Sequence, residues 1–216
     1  MFTIPTRGLV AAAALVLCAP LAAIADGVSV RFDLGDPAGA PFPSNRYTAF
    51  DGTQRTLRRV KLPMPDCTVR PSDCADVNVI NTLDGFSTQP RITVPFTGDI
   101  DPTTVSSTTV YLRNLGDTFT LHGFGQRVGI NQVLWDAATK TLVLQPDQLL
   151  EQHSRYLLVV TDGVRDAQGK KIKSGGWGDE FGLALGRDAA SHEYRRELRD
   201  AVQGQRHDQQ DRKSVV

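Results

Sequence analysis

Between Val133 and Ile172 two short apolar runs, Thr141 to Leu144 and Tyr156 to Val160, alternate with turn residues. Both runs are rich in Leu and Val. Asp136 to Lys140 reads as a tight connection between Val133-Leu134-Trp135 and the first run. Gln145-Pro146-Asp147 is expected to end that run, because proline has no N–H to give a ladder. Asp162-Gly163 and Gln168-Gly169 have the backbone freedom that chain reversals need. Short strands at this spacing predict an antiparallel β-sandwich. No residue in the stretch proposes chemistry.

The chain ahead of the mature domain is a targeting segment. Residues 1–25 combine Arg7, an apolar run from Leu9 to Leu17 too short to span a bilayer, and the small-x-small pattern Ala23-Ile24-Ala25. Cleavage is expected before Asp26. Attachment of lipid at Cys18 is the weaker alternative, since large Leu17 stands where a small residue is wanted. Either route predicts export, to the periplasm, the cell surface or the medium. The full chain has 24 Lys plus Arg and 24 Asp plus Glu. Loss of Arg7 leaves the mature chain within a single charge of neutral, so nothing argues for a nucleic-acid partner.

Export sets the meaning of the two remaining cysteines. Cys67 and Cys74 flank a short stretch with Pro63, Pro65 and Pro71 close by. In an oxidising compartment a disulfide is the simplest reading, and closing so short a loop removes about 2.5 kcal/mol of unfolded-chain entropy. A redox pair lacks the close spacing, and no nearby His or Cys completes a zinc site.

Residues 26–86 read as an extended, disulfide-containing segment. Val28 to Phe32 alternates like one strand. Asp36 to Pro43 is expected to be extended, with Phe42 as its anchor. Arg55, Arg58, Arg59 and Lys61 read as a solvated basic loop. A short helix is predicted over Asp76 to Leu83, with Asp76 as cap and Gly85 as stop. Residues 87–173 are the sandwich, beginning with Arg91 to Phe96, where Pro95 signals an edge or bulge, and continuing with Thr108 to Leu112. Asp99 and Asp101 are expected to cap their own turn rather than to gather the six or more oxygens of a calcium site.

Residues 174–203 hold a glycine-rich joint, Ser174 to Gly178, and an amphipathic helix, Ser191 to Val202. Ser191 is the expected cap, and Tyr194, Leu198, Ala201 and Val202 share one face. Residues 204–216 read as a disordered tail. Asp211 to Val216 is the hexapeptide that one frame of a common sequencing adapter encodes, so the natural protein is expected to continue.

The search for catalysis returns no site residue and no cofactor or metal. Gly85-Phe86-Ser87-Thr88-Gln89 misses the final glycine of a nucleophile elbow, and Pro90 follows it. His122, His153, His192 and His207 are scattered, and His153 reads as a turn residue. Gly123-Phe124-Gly125-Gln126 lacks the lysine and helix start of a phosphate cradle.

The runs DPAGAPFPSNRY (Asp36 to Tyr47) and DCTVRPSDCADVNVINTLDGFSTQPRITVPFTGDIDPTTV (Asp66 to Val105) resemble the N-terminal region of bacterial extracellular lipases of the virulence-factor type. The stretch Val133 to Ile172 resembles bacterial Ig-like domains. The resemblances imply an Ig-like sandwich and a missing C-terminal α/β-hydrolase domain as partner. By its apolar face and the glycine joint ahead of it, the amphipathic helix either folds back on the sandwich or docks on that following domain, and docking is the expectation. They carry no catalytic residue onto this chain, which is expected not to be an enzyme itself. The second expectation is a secreted or surface Ig-like module for binding or adhesion.

Overall fold

The computed structural model describes residues 27–36, 38–173, 189–208 and 214–215. The targeting segment and the Ser174 to Gly178 joint lie outside the described residues. Chain order runs through β1 (Thr48–Phe50), β2 (Arg58–Val60), α1 (Pro71–Ile80), β3 (Ile92–Pro95), β4 (Ile100–Asp101) and β5 (Val110–Asp117). It continues with β6 (Arg127–Val128), β7 (Ile130–Asp136), β8 (Thr141–Pro146), β9 (Ser154–Thr161), β10 (Arg165–Asp166), α2 (Ala189–Asp208) and β11 (Ser214–Val215). The fold is mainly β, and the strands of its described sheets pair antiparallel.

Two sheets face one another. One has the order β3-β8-β7 and the other β11-β9-β5-β6. The period of two places Ile92 and Val94 of β3 and Leu142 and Leu144 of β8 inward. They meet Val110, Leu112 and Val160 in one core. The β7–β8 connection is the predicted one. Asp136 holds it, accepting from Ala138 N at 2.9 Å and Thr139 Oγ1 at 2.9 Å. Pro95 sits on edge strand β3, where its missing N–H removes no ladder bond on a central strand. Pro146 does not stop β8 ahead of itself. It is the strand's last residue, buried and opposite Ile130.

The sheet containing β5 and β9 is buried on its outer face too. Tyr111, Leu157 and Val159 point away from the first core and form a second with Leu198 of α2. Phe32, Leu115, Tyr194, Ala201 and Val202 pack around them, and the Tyr194 and Phe32 rings stack with centroids 6.1 Å apart. Of the two places open to α2, its apolar face takes the sandwich. The helix also starts earlier than expected, at Ala189, so Ser191 falls inside its first turn rather than at its cap. Two alanines, the best helix formers, extend it there. It runs on to Asp208, and β11 pairs with β9, so the 204–216 tail is not structureless throughout.

The N-terminal segment differs from its prediction in four places. Val28 to Phe32 makes only single bridges, Ser29 to Lys173 and Val30 to Phe96. The stretch before Phe42 is turned rather than extended, closed by Gly39 N donating to Asp36 O at 2.9 Å. Phe42 is the anchor expected, bridged to Thr93 and ringed edge-on by Phe86 and Tyr47. Arg58 and Arg59 are not in a solvated loop. They lie in β2, where Arg59 meets Asp51 at 3.4 Å and Arg58 meets Glu193 at 3.1 Å and also Glu197 of α2.

The fourth difference is α1. It begins at Pro71, not Asp76, and ends at Ile80. Proline suits the first helical position because that N–H has no helical partner. Cys74 lies in the helix, bonded to Cys67 just ahead of it. Among the described residues no helix is long and apolar enough to cross a membrane.

Candidate binding surface

Asp99 directly precedes β4 and Asp101 ends it, where it caps the turn Pro102–Thr104: its Oδ1 accepts from Thr103 N at 3.0 Å and from the Thr103 hydroxyl at 2.6 Å. These bonds, the hydroxyl one first, hold the Asp101 carboxyl below its ordinary range. Ser87 Oγ accepts from Gln89 N at 3.1 Å, which is a turn-forming role. His153 has φ of 57°, in the turn before β9. His122 stands 4.0 Å from Glu151. His192 and His207 lie along α2, with side chains outside the described residues. Among the described residues no group of three or more His, Cys, Asp or Glu is placed to hold a metal ion.

A cleft of about 540 Å³ opens between the N-terminal segment, the β5–β9 pair and α2. Phe86, Leu115, Leu157 and Tyr194 give it apolar walls. Two of its carboxylates are engaged by neighbours. Glu197 accepts from Asn45 Nδ2 at 3.1 Å as well as from Arg58, and Asp84 accepts from the Thr56 amide at 3.1 Å and from its hydroxyl. The Glu197 bonds tie α2 to the β1–β2 hairpin, and the Asp84 bonds fix the turn of that hairpin. These groups are engaged with one another rather than poised on an incoming substrate. Leu121 and Phe124 stand at one rim.

That rim is the β5–β6 loop, which sequence reading passed over as a failed phosphate cradle. It is built from below by buried Asn114. Asn114 Oδ1 accepts from Gly116 N at 2.7 Å, and its Nδ2 donates to Glu151 at 3.2 Å and to the Tyr156 hydroxyl at 3.3 Å. Burial pushes the Tyr156 phenol up from its usual value, so it stays a neutral hydroxyl that also accepts from Glu151 N at 2.9 Å. Gly116, Gly123 and Gly125 take positive φ. At Gly123 a Cβ would run into the Asn114 amide, so glycine is required there by space as well as by conformation.

Asp117 closes the loop. Its Oδ1 accepts from Thr120 N at 2.9 Å, from Phe119 N at 3.0 Å and from the Thr120 hydroxyl at 3.0 Å. The two amides, Thr120 first, hold its carboxyl below the usual range. The loop turns large apolar side chains outward: Phe119 is 62% exposed, Leu121 60% and Phe124 47%. The one sequence sign of this loop was its glycines among aromatic residues.

Among solved structures the chain is similar to domains 1–6 of the surface layer protein SbsC, at 14% identity, over 50% of this chain and 16% of that one, with a TM-score of 0.32. It is likewise similar to the N-terminal part of the bacterial S-layer protein SbsC, at 16% identity, over 49% of this chain and 26% of that one, with a TM-score of 0.30. The chain thus spans about a quarter or less of those proteins. No curated protein matches it. The model of the bacterial Ig-like domain family matches residues 71–177, which include every strand from β3 to β10. The chain carries a bacterial Ig-like domain.

Proposed function

We propose that this chain is an exported Ig-like module that binds at the bacterial surface rather than the front part of a lipase. The family match over residues 71–177 carries this reading, since that family is a non-catalytic sandwich. The apolar face of α2, which suggested a hydrolase partner domain, is occupied by Tyr111, Leu157 and Val159. Glu197 and Asp84 of the cleft are spent on holding α2 and the hairpin, and the exposed apolar loop is built for contact rather than chemistry.

Purified residues 26–216 are expected to release no nitrophenol from short-chain or long-chain nitrophenyl esters above a buffer control. Turnover that a serine-directed inhibitor abolishes would overturn the non-catalytic reading.

A further inference from the structure

We propose that the β5–β6 loop, through Phe119, Leu121 and Phe124, inserts into a phospholipid surface. The inference rests on the surface-module reading and names the chemistry of a partner for it.

Single exposed apolar residues are ordinary on a protein surface. Here three large ones fall within six positions of one loop. They are not exposed because the loop is loose. The N–H groups of Thr118 to His122 and of Phe124 to Gln126 all donate within the loop or to the residues at its base. Thr118 N reaches His153 O at 3.0 Å, Leu121 N reaches Asp117 O at 3.0 Å and Gly125 N reaches Asn114 O at 2.8 Å. Phe119 N and Thr120 N bond Asp117 Oδ1, and His122 N bonds the Thr120 hydroxyl at 3.3 Å.

This pattern separates lipid from a protein partner. A protein interface offers its own donors and acceptors to a loop's backbone. Acyl chains offer none, so irregular backbone that enters lipid must satisfy itself first. The loop's N–H groups, that of Gly123 apart, meet that condition. From Thr118 to Gln126 it contains no Asp, Glu, Lys or Arg. Of the two carboxylates at its base, Asp117 is turned onto backbone amides and Glu151 accepts from Asn114.

The charged residues sit behind the tip. Arg113 donates to Gly125 O at 2.6 Å, and Arg127, at the loop's exit, lies over the Tyr111 ring at 3.8 Å. Glu151 faces His122 from the next loop. An uncharged apolar tip backed by mixed charge matches the depth profile of a bilayer interface, where apolar rings and side chains enter the acyl boundary and charges stay with the headgroups.

The test is flotation of the purified mature chain, residues 26–216, with phosphatidylcholine vesicles and with vesicles also containing phosphatidylglycerol. The protein is expected to float with both. Phe119→Ser/Leu121→Ser/Phe124→Ser, made at exposed positions and checked by circular dichroism, is expected to lower partitioning roughly tenfold or more. Phe119→Trp supplies a second readout, since its fluorescence should be quenched by bromine-labelled acyl chains beyond the quenching of the parent protein. Three outcomes would overturn the proposal. The parent protein could stay unbound with both vesicles, the triple variant could bind as well as the parent, or sedimentation velocity could show self-association that the triple variant abolishes. The last result would assign the loop to a second copy of the chain. Absence of vesicle binding alongside intact binding to cell envelopes would sink the lipid inference and leave the surface-module reading standing.

Discussion

Deleting residues 189–216 is expected to lower the melting temperature by about 6 °C or more. Leu198 and Tyr194 pack with Tyr111, Leu157 and Val159 on the outer face of the β5–β9 pair. Burying a side chain of either kind is worth roughly 1.5–3 kcal/mol, so their loss removes about 3–6 kcal/mol. A domain of this size shifts by roughly 2–4 °C for each kcal/mol. The deletion also strands Arg58, which meets Glu193 and Glu197 across the hairpin–helix contact. An unpaired charge left partly buried is a further cost. Thermal unfolding followed by circular dichroism reads the difference. A melting temperature within a degree or two of the parent's would mean that α2 does not rest on the sandwich, and the expectation of a separate docking domain would return.

Alkaline stability supplies the second large effect. Tyr194 keeps some solvent contact along its length, but its phenol end is enclosed between α2 and the N-terminal segment. Burial pushes that phenol up to about 12, against which a hydrogen bond with Ser44 works only partly. An acid whose folded value is raised favours the folded state as long as it stays protonated. Below about pH 10, the ordinary phenol value, both states hold the proton and the full stability is present. From there to about pH 12 the unfolded chain gives up its proton first, so stability falls as pH rises through that window. A shift of this size corresponds to roughly 2–3 kcal/mol. Urea unfolding of the parent protein should show this decline, and Tyr194→Phe should remove about that much of it. The same decline in both proteins would mean that the Tyr194 phenol is not buried in its neutral form.

Both results depend on a feature that the sequence displays and that periodicity arguments handle poorly. Leu157 to Val160 is a continuous apolar run, not an alternating one. Continuous runs belong to strands covered on both faces. Leu158 and Val160 serve the inner core, and Leu157 and Val159 serve the contact with α2. The run therefore foretold a cover on the outer face, and the amphipathic helix from Tyr194 to Val202 was the cover. Local pattern identified each half but not their meeting, which is a tertiary event.

The β7–β8 hairpin was readable because its turn chemistry is local: Asp136 bonds residues two and three positions ahead. The edge position of Pro95 was readable for the same reason. The start of α1 was not. Val77, Ile80 and Leu83 fall three apart, yet Ile80 is 36% and Leu83 49% exposed, and Cys74 is the helix's buried residue. Proline at the first position and the disulfide define that helix, rather than an apolar stripe. Arg58 looked like part of a solvated cluster because its partners, Glu193 and Glu197, lie far along the chain. The β5–β6 loop was hidden for a comparable reason. Its order comes from Asn114, Glu151 and Tyr156, and no spacing rule joins those three residues before the strands bring them together.

The central claim is that this chain binds at a surface. Co-sedimentation of purified residues 26–216 with washed bacterial cell envelopes, measured across a range of protein concentrations, tests it most directly. Saturable pelleting with the envelopes is the predicted result. Protein that stays in the supernatant at every concentration, while remaining folded, would contradict it.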